Sequence, residues 1–204
     1  MKKVFSIFLA VTVLLGSLLA IPVGADTSAP NKTPDLSIGT KAELKAFLTS
    51  TDDYAGKLVV LTADIDMNGE RYDIVQRAFA GTFDGQGHTI TRWWANNNVA
   101  HGIGLFGCVA EGATATVKNL VIRNSTYRNL KWQVGGLFGN VSGTVNIENV
   151  YSELNMGGDW GNASDLGGFI GKMYATANVM FQNCVYAGTI NNAGQTGANC
   201  GGFI

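Results

Sequence analysis

Apolar and polar side chains alternate with a period of two around three separate asparagines. Ala115 and Val117 precede Asn119, Val145 and Ile147 precede Asn149, and Val179 and Phe181 precede Asn183, always at the fourth and second positions before the asparagine. A period of two is strand geometry, because successive strand side chains point to opposite faces. The run Leu58-Val59-Val60-Leu61 is too apolar to face water on both sides and reads as a further strand. One segment predicts a helix instead. Thr40 stands as an N-cap with Glu43 completing a capping box, and Leu44, Phe47 and Leu48 supply one apolar face.

The strands belong to a repeat. Gly104-Leu105-Phe106-Gly107, Gly136-Leu137-Phe138-Gly139, Gly168-Phe169-Ile170-Gly171 and Gly202-Phe203-Ile204 recur at intervals of 32, 32 and 34 residues. A period in that range predicts a solenoid, whose coils are stable only when stacked. Stacking superposes Val117, Ile147 and Phe181 as an interior column, with about 4.8 Å between coils. Asn119, Asn149 and Asn183 then form a second column at a corner, since asparagine tolerates a left-handed backbone and its amide can bond the asparagines above and below. Gly104, Gly136 and Gly168 suit tight bends where backbones approach closely. The helix after Thr40 has a place in such a fold: laid over the open end, it hides unpaired strand edges and the apolar interior.

Three motifs also carry a family resemblance. The phrase Ala80-Gly81-Thr82-Phe83-Asp84-Gly85-Gln86-Gly87-His88-Thr89-Ile90, the Gly-Leu-Phe-Gly copies and the run Lys118-Asn119-Leu120 occur in the order of the GLUG-repeat proteins. Asp64-Ile65-Asp66-Met67, with the helical segment before it, resembles the entry module of such repeats. The resemblance spans residues 38–204. It implies a secreted bacterial protein related in architecture to the right-handed parallel β-helices of the pectin-lyase type, used as a scaffold or surface module and sometimes part of a larger peptidase or adhesin. It supplies no catalytic residues. The sequence departs from the pattern where Ile103 precedes Gly104, and where the third copy has Phe-Ile for Leu-Phe. The expected fold is therefore all-β, a right-handed parallel β-helix solenoid of about four to five coils with an N-terminal capping α-helix.

Residues 1–25 read as a secretory signal: Lys2 and Lys3, an apolar stretch over residues 4–19, and the small residues Val23-Gly24-Ala25 at the exit. A retained membrane anchor is the rival, but Pro22 and the interspersed Ser6, Thr12, Gly16 and Ser17 favour cleavage, after which no transmembrane segment is expected. Residues 26–37 read as a linker, 38–100 as the capping helix and first coils, and 101–204 as the GLUG-type repeats. Ile204 interrupts the fourth glycine phrase, so the chain reads as truncated, with any surface attachment or catalytic domain further on. If that end is native, its open edge invites end-to-end association with a second copy.

With 27 Gly, 3 Pro and 14% charged residues, the chain is turn-rich and weakly charged, and its formal net charge is −1. Lys and Arg do not cluster, which argues against a nucleic-acid partner. Asp64, Asp66 and Asn68 match the opening of a calcium loop, but the twelfth position is Val75, where the bidentate Glu belongs. The alternation of Leu61, Ala63, Ile65 and Met67 equally fits a strand whose Asp side chains face outward, so no metal and no cofactor is assigned. His88 beside Asp84 has the makings of an acid–base pair. A glycosidase needs paired carboxylates on one face, whereas Glu111, Glu148 and Glu153 fall at unrelated coil positions, and no catalytic residue is assigned.

Cys184 and Cys200 fall in apolar columns and read as small buried residues, with a bridge between them the alternative, while Cys108 aligns with Asn140 and Lys172 and reads as exposed. Trp93, Trp94, Trp132 and Trp160 all lie between an asparagine run and the next glycine phrase, among polar neighbours such as Arg128, Gln133 and Asn162. Either each packs over its own loop or the rings form a sugar-binding surface. The functional expectation is a secreted or cell-surface, non-catalytic, adhesin-like repeat scaffold that binds a glycan or an extracellular partner protein. The alternatives are a carbohydrate-active β-helix enzyme and the N-terminal repeat region of a larger secreted peptidase.

Overall fold

The computed structural model describes residues 32–73, 77–96, 102–128, 131–157, 162–191 and 199–204. The leader read at residues 1–25, the first half of the segment read as a linker, and Trp160 lie outside them. From Thr33 onward the chain winds as a parallel β-solenoid of about three turns. The longest sheet stacks Leu36–Ile38, Leu58–Leu61, Thr82–Asp84, Thr114–Arg123, Thr144–Ser152 and Asn178–Gln182 in that order. A second sheet stacks Arg71–Asp73, Trp94–Asn96, Thr126–Arg128, Asn155–Gly157 and Ile190–Asn191. Two three-stranded sheets close each turn, one through Lys131–Gly135 and the other through Phe138–Val141.

The expected four to five coils thus become about three complete ones. The reason is local. The first two circuits, from Leu36 to Val59 and from Val59 to Phe83, are shorter, and among the described residues the early closing contacts include the single bridges Ala78 to Cys108 and Ile103 to Val134. The stacking also starts at Leu36, which pairs with Val59 inside the segment read as a linker; Asp35 fixes the entry by accepting a bond from the Leu58 N–H at 2.7 Å.

The expected columns stand in register. Val59, Phe83, Val117, Ile147 and Phe181 superpose, and Ala115, Val145 and Val179 run beside them. All are buried except Val179 and Phe181 in the last described rung, which are half-buried and neighbour the exposed Met180 and Val185. Asn119, Asn149 and Asn183 form the corner column, each with φ between 51° and 53°. Asn183 donates to the Asn149 carbonyl oxygen at 3.1 Å, Asn149 donates to that of Asn119 at 3.0 Å, and Asn119 donates to Asp84 Oδ1 at 3.0 Å. A carboxylate therefore anchors the ladder. Asn149→Ala is expected to cost about 2 kcal/mol, from two lost amide bonds and a left-handed backbone without an asparagine. Asn149→Gly should recover the backbone share only, and equal melting temperatures for the two variants would refute that division.

The helix Lys41–Thr49 begins as its sequence predicts. Thr40 Oγ1 accepts from Glu43 N–H at 3.3 Å, and Glu43 Oε2 accepts from Gly39 and Thr40 N–H at 2.9 and 3.0 Å. Leu44, Phe47 and Leu48 are buried. Phe47 plugs the solenoid interior, with ring centroids 5.5 Å from Phe83 and 6.3 Å from both Phe79 and Phe106. Arg77 fastens the other end of the helix. It is buried over the Phe47 ring at 4.5 Å and donates to the Phe47 and Ser50 carbonyls at 2.7 and 3.3 Å, satisfying acceptors a helix end leaves unpaired.

All three cysteines are free thiols, so no Cys184–Cys200 bridge forms. Their columns are as expected, with Cys108 beside Asn140 and Cys200 beside Leu166. Their exposures are not. Cys200 is exposed and Cys184 half-buried because they lie in the last described turn, while Cys108 is half-buried, donates to the Arg77 carbonyl at 3.3 Å, and has its thiol pKa pushed up by burial.

Candidate functional site

The tryptophans do not act as a set. Arg92 adopts φ 56°, and this left-handed step sends Trp93 into the core and Trp94 to the outside of the second sheet. Trp93 is 2% exposed and packs edge-on against Tyr127 at 5.1 Å, so its ring belongs to the core and offers no open face for stacking. Trp132, 45% exposed, stands on a different sheet, where the pairing register shifts between Trp132 and Gln133. Among the described tryptophans, Trp94 is the half-buried one that lines a polar cleft, with the buried Trp93 behind it.

That cleft has a volume of about 250 Å³ and is bordered by Asn68, Arg92, Trp94, Asn124, Thr126 and Arg128. Parallel register builds it. Arg71 pairs with Trp94 in the rung before, while Thr126 pairs with Trp94 and Arg128 with Asn96 in the rung after. The guanidinium carbons of Arg71 and Arg128 lie 5.7 and 5.1 Å from the Trp94 ring centroid, so cations approach the indole from both neighbouring rungs. Trp94 Nε1–H donates to the Gly69 carbonyl at 3.1 Å, which fixes the ring. Arg92 closes one wall by gripping both oxygens of Asp66, with Nε at 2.8 Å from Oδ1, and by reaching Asn68 Oδ1 at 3.5 Å.

The calcium reading of Asp64, Asp66 and Asn68 meets a different geometry. Ile65 and Met67 are buried and the alternating Asp64 and Asp66 side chains face outward, as a strand requires. Asp66 is occupied by Arg92 and by the Asn68 N–H at 2.8 Å. Asp64 Oδ1 accepts from the Thr89 N–H at 2.9 Å and lies 3.2 Å from His88 Nδ1. Among the described residues, no group of three acidic, His or Cys side chains is placed to hold a metal. His88 therefore partners Asp64 and not Asp84, which is buried under Asn119 and accepts from the Gln86 N–H at 2.9 Å.

Asp64 and Asp66 bond across neighbouring rungs, while Glu43 closes the helix cap and Glu70 ties the helix to the first coil, and each is held more acidic by its partner. The Gly39 N–H holds Glu43 below its ordinary pKa, the Thr89 N–H and then His88 do so for Asp64, the Arg92 guanidinium for Asp66, and Lys41, at 2.5 Å, for Glu70. A carboxyl that is more acidic when folded adds stability above its unfolded pKa, and that stability is lost as pH falls through the folded value. The melting temperature is expected to hold from pH 7 to about 5 and to drop below about pH 4. Asp66→Asn should shallow that drop; an unchanged acid slope would show that Asp66 adds no such stability.

The second, larger groove, of about 600 Å³, offers little chemistry. Its walls are mostly Gly, Ala and Thr, and Asp53, the sole carboxylate there, already caps the Ala55 N–H at 2.9 Å.

Among the described residues no helix is long and apolar enough to cross a membrane. No protein-family model matches the chain, and no curated protein matches it. One solved structure, of a "putative immunoglobulin A1 protease" from Bacteroides ovatus, is similar at 13% identity over 82% of this chain and 84% of that one, with a TM-score of 0.27. Likeness at that level assigns neither a family nor a function.

Proposed function

We propose that this chain is an exported, non-catalytic β-solenoid scaffold of the GLUG-repeat kind, adhesin-like in use, which binds a glycan in the Trp94 cleft. The observation that carries the reading is convergence: guanidinium donors of Arg92 and Arg128, the amides of Asn68 and Asn124, and the Thr126 hydroxyl border one cleft on stacked strands and the corners that precede them. Polar groups held by rigid elements around an aromatic body are what orient a hydroxyl-rich ligand. Export rests on the leader pattern of residues 1–25, and the family on its three motifs. A scaffold is favoured over an enzyme because the nearest described carboxylates, outside the cleft lining, are engaged in ion pairs, Asp66 with Arg92 and Glu70 with Lys41 of the helix.

A glycan array probed with the purified protein tests this. A bound oligosaccharide is expected to lose about tenfold or more in affinity with Arg128→Gln or Trp94→Ala and to keep its affinity with Trp132→Ala. No bound glycan, or binding that both cleft variants leave intact, would remove the cleft from the account.

A further inference from the structure

We infer that the cleft is built for an anionic glycan, one whose sugar rings carry carboxylate or sulfate groups; this rests on the glycan-binding reading above. Three features of the site select for charge over ring stacking. A neutral sugar binds an aromatic side chain by laying its C–H face on the ring. At Trp94 guanidinium groups from the rung before and the rung after take that role, Arg71 at 5.7 Å and Arg128 at 5.1 Å. The indole is thus a post that positions cations, not a platform left for a pyranose.

The charge balance points the same way. Among the described residues, no carboxylate borders the cleft. Arg92 is matched by Asp66. Arg128 is exposed and, among the described residues, meets the Trp94 ring without a carboxylate partner, so the cleft retains a positive charge. Stacking engages only the face of a guanidinium. Its in-plane N–H donors stay available in the fork geometry that matches a carboxylate or sulfate two bonds at a time. Around that charge, Asn68, Asn124 and Thr126 provide the neutral donors and acceptors that sugar hydroxyls require.

The positions of these groups are fixed by stacking. Parallel pairing sets Trp94 beside Thr126 and Asn96 beside Arg128. An oxyanion at Arg128 and a hydroxyl at Thr126 are then read from one rung, two residues apart on the same outward face.

The test is calorimetric titration of the full chain with four probes: trigalacturonate, its carboxyl-reduced neutral counterpart, a sulfated trisaccharide, and inorganic sulfate. At least one anionic trisaccharide is expected to bind about tenfold or more tighter than the neutral one, with affinity falling as salt is raised from low to physiological levels. Preference between the two anionic trisaccharides identifies the oxyanion. Arg128→Gln, an exposed substitution checked by an unchanged melting temperature, should bring the anionic ligand to within about threefold of the neutral one. Equal binding of the neutral trisaccharide, insensitive to Arg128, would overturn the anionic inference and leave glycan binding standing. Inorganic sulfate binding as tightly as the sulfated trisaccharide would keep the oxyanion site and overturn the glycan. Binding of none of the four would overturn both.

Discussion

Gly139→Ala is expected to prevent cooperative folding or to cost about 4 kcal/mol or more, the range reached only when a substitution breaks a named packing constraint. Gly139 and Gly171, the last glycines of the second and third phrases, sit where the two closing sides touch backbone to backbone. A Cβ on Gly139 would fall 2.5 Å from Gly102 Cα and closer still to Gly102 C and Ile103 N, and one on Gly171 would fall 2.6 Å from Val134 N and C. None of these atoms belongs to a side chain that can swing away. Ile103 cannot retreat freely either, since its N–H donates to the Gln133 carbonyl at 3.0 Å, while Gly139 N–H donates to that of Gly107 at 2.7 Å. Moving one strand breaks bonds to the next turn, and a stacked array passes the damage to both neighbours. Gly112→Ala separates this from simple backbone strain. Gly112 has φ 76° but open space around its Cβ position, so alanine there should cost only about 1–2 kcal/mol. Urea unfolding followed by circular dichroism reads both, and similar midpoints for the two variants would refute the close-approach account.

The legible parts of this molecule are those governed by short-range or strictly periodic rules. The capping box at Thr40 and Glu43 spans three residues, and the Asn119, Asn149 and Asn183 ladder follows from an almost constant interval, so both could be written down from the sequence. The cleft obeys neither rule. Arg71, Trp94 and Arg128 come from rungs of unequal length, and the shorter first circuit shifts them out of the later alignment. Trp93 and Trp94 look equivalent in sequence; a single positive φ at Arg92 decides which is buried. Arg77 was equally hidden, because a lone arginine in an otherwise unremarkable segment gives no sign that it will be buried against the helix Lys41–Thr49. Even the pairing of His88 with Asp64 instead of Asp84 depends on which residues stacking brings together across neighbouring rungs. What escaped the sequence is contact between rungs outside the regular repeat, and the candidate site is made of such contacts.

Phe106→Ala is expected to destabilise the protein by about 3–5 kcal/mol, the usual cost of truncating a fully buried phenylalanine. Phe106 has no exposed surface and sits at the centre of an aromatic cluster, with ring centroids 5.0 Å from Phe83, 5.2 Å from Phe79, 5.7 Å from Phe138 and 6.3 Å from Phe47. It joins the plug supplied by the helix to the interior of the following turn. The surrounding rings cannot close the void, because Phe83 is fixed by parallel pairing with Val117 and Phe138 by pairing with Ile170. Met180→Ala removes a comparable apolar chain from a residue 57% exposed and should stay within about 0.5 kcal/mol of the parent. In a solenoid, stability is the sum of coil and interface terms, so weakening this junction should also broaden the unfolding transition as the helix-capped turn separates from the later turns. A loss below about 1 kcal/mol with an unbroadened transition would show that the helix plug and the repeat stack do not depend on one another through Phe106.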